Sequence, residues 1–232
     1  MAHYLIIAAS SSIGQALTKT LKAQGDTVIT TARDSSKINP DILLDATDFD
    51  AVNNAFQQAG TLDGVVNCSG SLLLKPAHAT SKAQYLSVID ASLTTSFATV
   101  QAAGNHMKQG GSVVLISSAA ALVGISNHEA IAAAKAGIIG LAQSAAATYA
   151  TNNLRFNVVA PGMIDSPLTT QLINNEAMYQ ASKAMHALGR IGKPEDIAQA
   201  IVFFLDPKNN WITGQVIAVD GGLSRVRPKM KI

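Results

Sequence analysis

The sequence predicts an α/β domain, a doubly wound parallel sheet of about seven strands with helices on both faces. Three observations carry this. Short apolar runs alternate with helix-length segments along the whole chain. The strand-like runs are almost continuously apolar, as strands of a sheet covered on both faces are. Most successive runs are separated by helix-length connections, and such crossovers join parallel strands. The 232 residues fit one domain. A chain of that size buries about three quarters of its unfolded surface. No linker, internal repeat or low-complexity block divides it, so residues 1–232 read as a single domain.

Residues 4–9 form an apolar first strand that runs into small residues. Ile13, Leu17 and Leu21 then recur at four-residue spacing, which puts them on one face of a helix over 13–22. Residues 27–31 are mostly β-branched and read as a second strand, and 42–44 as a short third. Val52, Ala55 and Phe56 give 49–59 a helical period, and 63–67 is a fourth strand. Residues 81–108 read as one long helix, stopped by Gly110 and Gly111. Residues 112–117 make a fifth strand, 126–150 an Ala-rich helix, and 154–160 a sixth strand ended by Pro161-Gly162. Pro194 followed by Glu195 and Asp196 marks the start of a helix over 194–205. Residues 215–219 form the last strand, closed by Gly221-Gly222. Only 163–189 breaks the rhythm. It comes after a strand end, where ligands bind in such sheets, and is either a substrate lid or a plain surface insertion.

Composition excludes several classes. Apolar residues at 48% and charged residues at 14% exclude a disordered chain. The net charge is +2, and the one basic cluster, Arg225, Arg227, Lys229 and Lys231, reads as a solvated tail rather than a nucleic-acid contact. No apolar run approaches the ~20 residues of a membrane span, and the N-terminus enters a strand without a signal peptide's basic start and cleavage site. The single cysteine, Cys68, permits no internal disulfide and suggests no metal cage. The expectation is a soluble cytoplasmic protein with no metal, nucleic-acid or membrane partner.

The first strand leads into Ala8-Ala9-Ser10-Ser11-Ser12-Ile13-Gly14 and then a helix. A tight strand-to-helix turn aims backbone N–H groups and the positive helix end at a phosphate, and small residues let a pyrophosphate come close. Alone, this run is equally a common tight turn. In combination with motifs further along the chain, it resembles the glycine motif of the short-chain dehydrogenase/reductase family, Thr-Gly-x-x-x-Gly-x-Gly, aligned on residues 7–14. Ala8 and Ser12 stand at the first two glycines and Gly14 at the third. Ala8 is harmless there only if its φ is negative. The later motifs occur in the family's order. Asp45 resembles the acid that contacts adenine, Asn67-Cys68-Ser69-Gly70 the Asn-Asn-Ala-Gly motif, and Ile116-Ser117-Ser118 the end of the fifth strand. Pro161-Gly162-Met163-Ile164-Asp165-Ser166-Pro167 resembles the nicotinamide-side loop, while Gly189-Arg190, Pro194-Glu195-Asp196-Ile197, Gly214-Gln215 and Asp220-Gly221-Gly222 resemble the C-terminal portion.

The resemblance implies a Rossmann-like fold and a nicotinamide dinucleotide held by Ser10, Ser12, Ile13, Gly14, Asp45, Asn67, Ser69, Gly70, Lys135, Pro161, Gly162 and Ile164. The family's acidic position after the second strand falls on Ala32, and Arg33 comes next. A carboxylate there would bond the ribose hydroxyls of NAD, whereas a guanidinium matches a 2′-phosphate. The reading favours NADP(H) over NAD(H). An Arg33–Asp34 pair would weaken it.

The same resemblance implies hydride transfer to a carbonyl or from an alcohol, with the proton handled by a tyrosine four residues before a lysine. Lys135 is the lysine, but the tyrosine position holds Ile131. Ser118 stands at the substrate-binding serine and Ser92 at the asparagine of the water relay. Three readings stay open. Another group supplies the proton, His128 first because it lies seven residues before Lys135, the spacing at which divergent enoyl reductases carry their tyrosine. His128 is otherwise a plain loop histidine. Tyr179 and Tyr149 are the alternatives, and Tyr149 lies too far along the helix. Or hydride adds to an activated alkene and water protonates the product. Or the protein is a catalytically inactive nucleotide-binding or partner subunit. The first two make it an oxidoreductase acting on a small molecule, and the retained Ser118, Lys135, Asn67 and Arg33 favour that. Leu168, Leu172, Ile173, Met178 and Met185 hint at an apolar ligand, and equally at packing. The family, and the small residues of the 131–147 helix, imply a homodimer or homotetramer.

Overall fold

The computed structural model describes residues 1–228, so Lys229 and Lys231 of the basic tail lie outside the described residues. Its strands are β1 (His3–Ile7), β2 (Thr27–Ala32), β3 (Ile42–Leu43), β4 (Gly64–Asn67), β5 (Gly111–Ile116), β6 (Leu154–Pro161) and β7 (Val216–Val219). They form one sheet in the order 3-2-1-4-5-6-7, every pairing parallel. The expected doubly wound architecture is borne out.

Helices cover both faces. Side chains along a strand point alternately to opposite faces, so β1 serves two cores: Leu5 and Ile7 one, Tyr4 and Ile6 the other. The first core is closed by α2 (Phe49–Ala59), α4 (Thr95–His106) and α5 (Glu129–Tyr149), through Val52, Phe56, Ala98, Ala102, Ile138 and Ala142. The second is closed by α1 (Ser12–Ala23) and α8 (Pro194–Leu205), through Leu17, Leu21, Ile197, Ile201 and Phe204. From β1 the chain winds outward through β2 and β3, then returns to β4 on the other side of β1. The direction of winding thus reverses between β1 and β4, and the crevice beyond their carboxyl ends is where such sheets bind ligands.

Three elements differ from the sequence reading. The helix expected over 81–108 is two helices, α3 (Lys82–Ile89) and α4, joined by a π turn at Asp90–Thr94. The cause is local. Thr95, Ser96 and Thr99 turn their hydroxyls back to the carbonyls of Ser92 and Thr95, competing with the helix's own amides. Second, α5 starts at Glu129 because Asn127 has φ 63 and cannot continue a right-handed helix. Third, 163–189 carries two short helices, α6 (Thr170–Ile173) and α7 (Glu176–Met185), neither with a buried residue. One helix is also longer and more apolar than the runs read from the sequence. The segment Glu129–Asn152 is long enough for a span, with mean hydropathy 1.4, because alanines replace charges along it. In the fold, Ile138, Ala142, Ala145 and Ala146 of this helix pack into the first core.

Candidate functional site

A cleft of about 770 Å³ opens at the reversal point between β1 and β4. The turn after β1 forms its floor, with Ala8, Ser10, Ser11, Ser12 and Ile13 on the wall. Ser11, unremarked in the sequence, is the N-cap of α1: its Oγ accepts the Gly14 N–H at 3.1 Å. Gly14 is buried and does not line the cleft. A Cβ on it would stand 2.7 Å from Ala9 Cα and 2.8 Å from the Ala8 oxygen, so its bareness lets α1 close on the turn. Ala8 has φ 56. The condition set on it from sequence is not met: a Cβ sits where the left-handed region favours glycine.

At the β2 end the wall holds Arg33, Asp34, Ser36, Lys37, Asp45 and Thr47. The Asp34 carboxylate accepts the Ser36 N–H at 2.9 Å and the Ser36 hydroxyl, and these bonds hold it below the ordinary carboxylate range. Asp45 accepts the Thr47 N–H at 3.0 Å and hydroxyl at 2.8 Å and is lowered for the same reason. The ion pair found among the described residues is Arg190–Asp196, so Arg33 is exposed with no carboxylate in ion-pair distance. Lys37, four residues further along the same loop, adds a second cation to the wall that sequence reasoning missed.

At the other end lie Ser69, Gly70, Ser118, His128, Ile131, Lys135, Pro161, Gly162, Met163 and Ile164. Asn67 is buried behind them. Its Nδ2 donates to Thr99 Oγ1 at 2.9 Å and its Oδ1 accepts the Ser69 N–H at 2.8 Å, so it shapes the turn rather than the wall. Lys135 is 5% exposed, and its Nζ donates to the Ile116 carbonyl at 2.8 Å. Burial lowers its pKa to about 8. Gly70 keeps the space above the ammonium clear, since a Cβ there would stand 3.1 Å from Nζ. Ser118 Oγ accepts the Ala120 N–H at 3.2 Å, which leaves its own proton free to donate. His128 occupies the N-cap position of α5 without a side-chain cap bond and rests its Nδ1 on the Ser126 carbonyl at 2.7 Å. A carbonyl only accepts, so Nδ1 carries the hydrogen and Nε2 is an available acceptor.

Other expected residues stand apart. Ser92 is 0% exposed inside the π turn, off the cleft wall, and its Oγ has no partner. Tyr149 packs on Phe156 at 5.6 Å, and Tyr179 lies under the Lys183 ammonium at 5.3 Å; neither lines the cleft. Ile131 is 3% exposed, one edge on the wall and the rest against Val88, Ala130 and Ala134. The 163–189 segment does form a wall, through Ser166, Leu168, Leu172, Met178, Met185 and the unexpected His186.

A family model described as enoyl-(acyl carrier protein) reductase matches residues 7–224. The 3-oxoacyl-[acyl-carrier-protein] reductase FabG of Thermotoga maritima is 35% identical, over 94% of this chain and 96% of its own. The ligand-free aldohexose dehydrogenase of Thermoplasma acidophilum superposes with a TM-score of 0.90 at 28% identity, over 100% of this chain and 97% of its own. ElxO with NADP bound superposes at 0.88 and 27% identity, over 96% and 99%. A tyrosine-to-phenylalanine form of ElxO with NADPH bound gives 0.87 and 28%, over 96% and 99%.

Proposed function

The chain belongs to the short-chain dehydrogenase/reductase family, and on that premise we propose that it is an NADP(H)-linked reductase of a carbonyl or activated alkene in a small or apolar substrate. The observation that carries the cofactor choice is the β2 end of the cleft, where Arg33 and Lys37 line the wall and Ala32 replaces a carboxylate. A 2′-phosphate finds two cations there, while the nearby Asp34 and Asp45 carboxylates are held by Ser36 and Thr47. ElxO, similar in fold, binds NADP.

The residues present fit the dinucleotide. Small side chains from Ala8 to Ser12 leave the backbone open to a pyrophosphate, and the bare Gly70 leaves Lys135 Nζ reachable for ribose hydroxyls. Ser69 and Gly70, with Pro161, Gly162 and Ile164, hold the nicotinamide side. When bound, the nicotinamide supplies hydride. The chain's own residues bind and protonate. Ser118 donates its free O–H to the substrate oxygen. His128 would take a proton from solvent at its free Nε2 and pass it to the product oxygen or carbon. The apolar wall of Ile131, Leu168, Leu172, Met178 and Met185 favours an apolar substrate.

The family reading carries with it a cytoplasmic homodimer or homotetramer. Phe97, about half exposed on α4, and the small outward residues of α5 support an assembly face. Ile131 favours a second reading, a nucleotide-binding partner subunit without turnover, since a buried isoleucine at the acid position donates no proton. One titration series tests both. The purified protein is titrated with NADPH and NADH by cofactor fluorescence, then NADPH oxidation is followed with ketones and conjugated enones. Tighter NADPH binding with turnover supports the reductase. Binding without turnover selects the partner reading, and binding of neither cofactor overturns both.

A further inference from the structure

The stretch from Ser166 to His186 supplies the outer wall of the cleft, and His186 is the one buried side chain among residues 165–196. It is 3% exposed. Its Nδ1 lies 2.6 Å from the Ser182 carbonyl in the last turn of α7, and its Nε2 accepts the Met163 N–H at 3.2 Å. A carbonyl can only accept and an amide N–H can only donate. The two partners therefore fix a neutral ring with hydrogen on Nδ1.

The ring sits where three elements meet. A Cβ on Gly162 would stand 2.7 Å from His186 Nε2 and 2.9 Å from Asp220 Cα, and one on Gly221 would stand 3.5 Å from His186 Cβ. The imidazole thus ties the end of α7 to the loop after β6 and to the turn after β7. Elsewhere the wall rests on backbone bonds at its two ends, such as Gly192 N–H to the Met163 carbonyl and Leu188 N–H to the Gly221 carbonyl.

We propose that His186 is a positioning residue that latches the substrate lid to the loop 161–163, and that the latch holds only while the ring is neutral. Protonation places a hydrogen on Nε2 that points at the Met163 N–H. Two donors then face each other, and the ring must turn or leave. The charged groups on the packed elements make no hydrogen bond or ion pair with the ring among the described residues. Asp220 already accepts the Gly222 and Ser224 N–H groups at 2.9 Å each. Lys183 of α7 lies over the Tyr179 ring, Arg190 is paired with Asp196, and Asp165 and Arg225 are exposed. The loop 161–163 carries no titratable side chain. The consequence for turnover rests on the reductase reading, but the latch itself does not.

Hydrogen exchange on the whole protein without cofactor tests the latch. Protection factors of the amides at 165–185 are compared at about pH 8 and about pH 5.5, which bracket the range where imidazoles change charge. Wild type is expected to lose roughly ten-fold protection there on acidification, while β4 and β5 stay unchanged. His186→Gln keeps an acceptor for Met163 and a donor for Ser182 but cannot take the proton, so its protection should be the same at both values. A flat wild type overturns the proposal, and so does an equal loss in the glutamine variant. Should that variant not fold, the His186 ring resonance is titrated in wild type. A midpoint that does not match that of the protection loss overturns the latch. Because no cofactor is used, this failure is distinct from a failure to bind NADPH.

Discussion

Lys135 donates from Nζ to the Ile116 carbonyl at 2.8 Å, the one hydrogen bond this 5%-exposed ammonium makes among the described residues. No carboxylate compensates it, and burial brings it to about 8. An unfolded lysine titrates near 10.4. Below pH ~8 both states hold the proton and the folded state bears the full cost of burying charge. Between about 8 and 10.4 the unfolded chain binds more protons, so stability rises with pH. Cys68 next to it opposes this higher up: burial pushes its thiol to about 12, so stability falls as unfolded thiols ionise above ~8.5. Lys135→Met should therefore stabilise the apo protein at pH 7 by on the order of 2 kcal/mol, the gain shrinking toward pH 10. Urea unfolding at both pH values checks it. Equal stability of the two proteins at pH 7 would show that the ammonium is well solvated.

Arg33 is exposed and makes no ion pair among the described residues, so its charge is available to a ligand. Arg33→Ala should weaken NADPH binding by roughly 10- to 100-fold, the scale of one lost charge-assisted phosphate contact, and leave NADH within a few-fold. Parallel fluorescence titrations decide it. An equal loss for both cofactors would mean that Arg33 supports the fold of the loop rather than selecting the phosphate.

Ala8 holds a φ of 56 at the head of the phosphate turn. A non-glycine residue in that region costs about 1–2 kcal/mol, and a glycine there returns about 0.4–1 kcal/mol of it as unfolded-chain entropy. Ala8→Gly should raise stability by about 0.5–1 kcal/mol and bind NADPH at least as tightly. Thermal unfolding with and without NADPH measures both. A lower midpoint would indicate that the methyl group packs usefully in the native turn.

Part of this geometry is legible in the sequence. The strands are, because a parallel sheet buried on both sides needs runs such as Tyr4-Leu5-Ile6-Ile7 and Val113-Val114-Leu115-Ile116. Motif order then brings Arg33, Ser118, Lys135 and Gly162 to one cleft. The π turn around Ser92 is invisible, since hydroxyl back-bonding by Thr95, Ser96 and Thr99 leaves the apolar period intact. It takes Ser92 off the wall, where the family motif puts it on. The burial of His186 is hidden too, because it depends on Gly162 and Gly221 closing over it from distant strands.

Ile131 concentrates the question of chemistry. It precedes Lys135 by one helical turn and presents one edge to the cleft, with Val88, Ala130 and Ala134 behind it. Ile131→Tyr would send its extra bulk along the wall into open cleft, so the packing cost should stay within about 1–3 kcal/mol. Its hydroxyl would lie one turn from the Lys135 ammonium, whose charge favours the tyrosinate and makes the phenol a better acid near neutral pH. A positioned acid contributes about 10²–10⁴ in rate, so NADPH-dependent ketone reduction should rise at least 100-fold over the parent chain. Ile131→Phe supplies the same ring without the proton and should show no gain. Adding Lys135→Met to the tyrosine variant should abolish it. Stopped-flow NADPH oxidation over a series of ketones reads all three proteins. A folded, NADPH-binding tyrosine variant that reduces none of them would mean that Ser118 and Lys135 no longer hold a carbonyl in register with the hydride. The cleft would then serve binding rather than turnover.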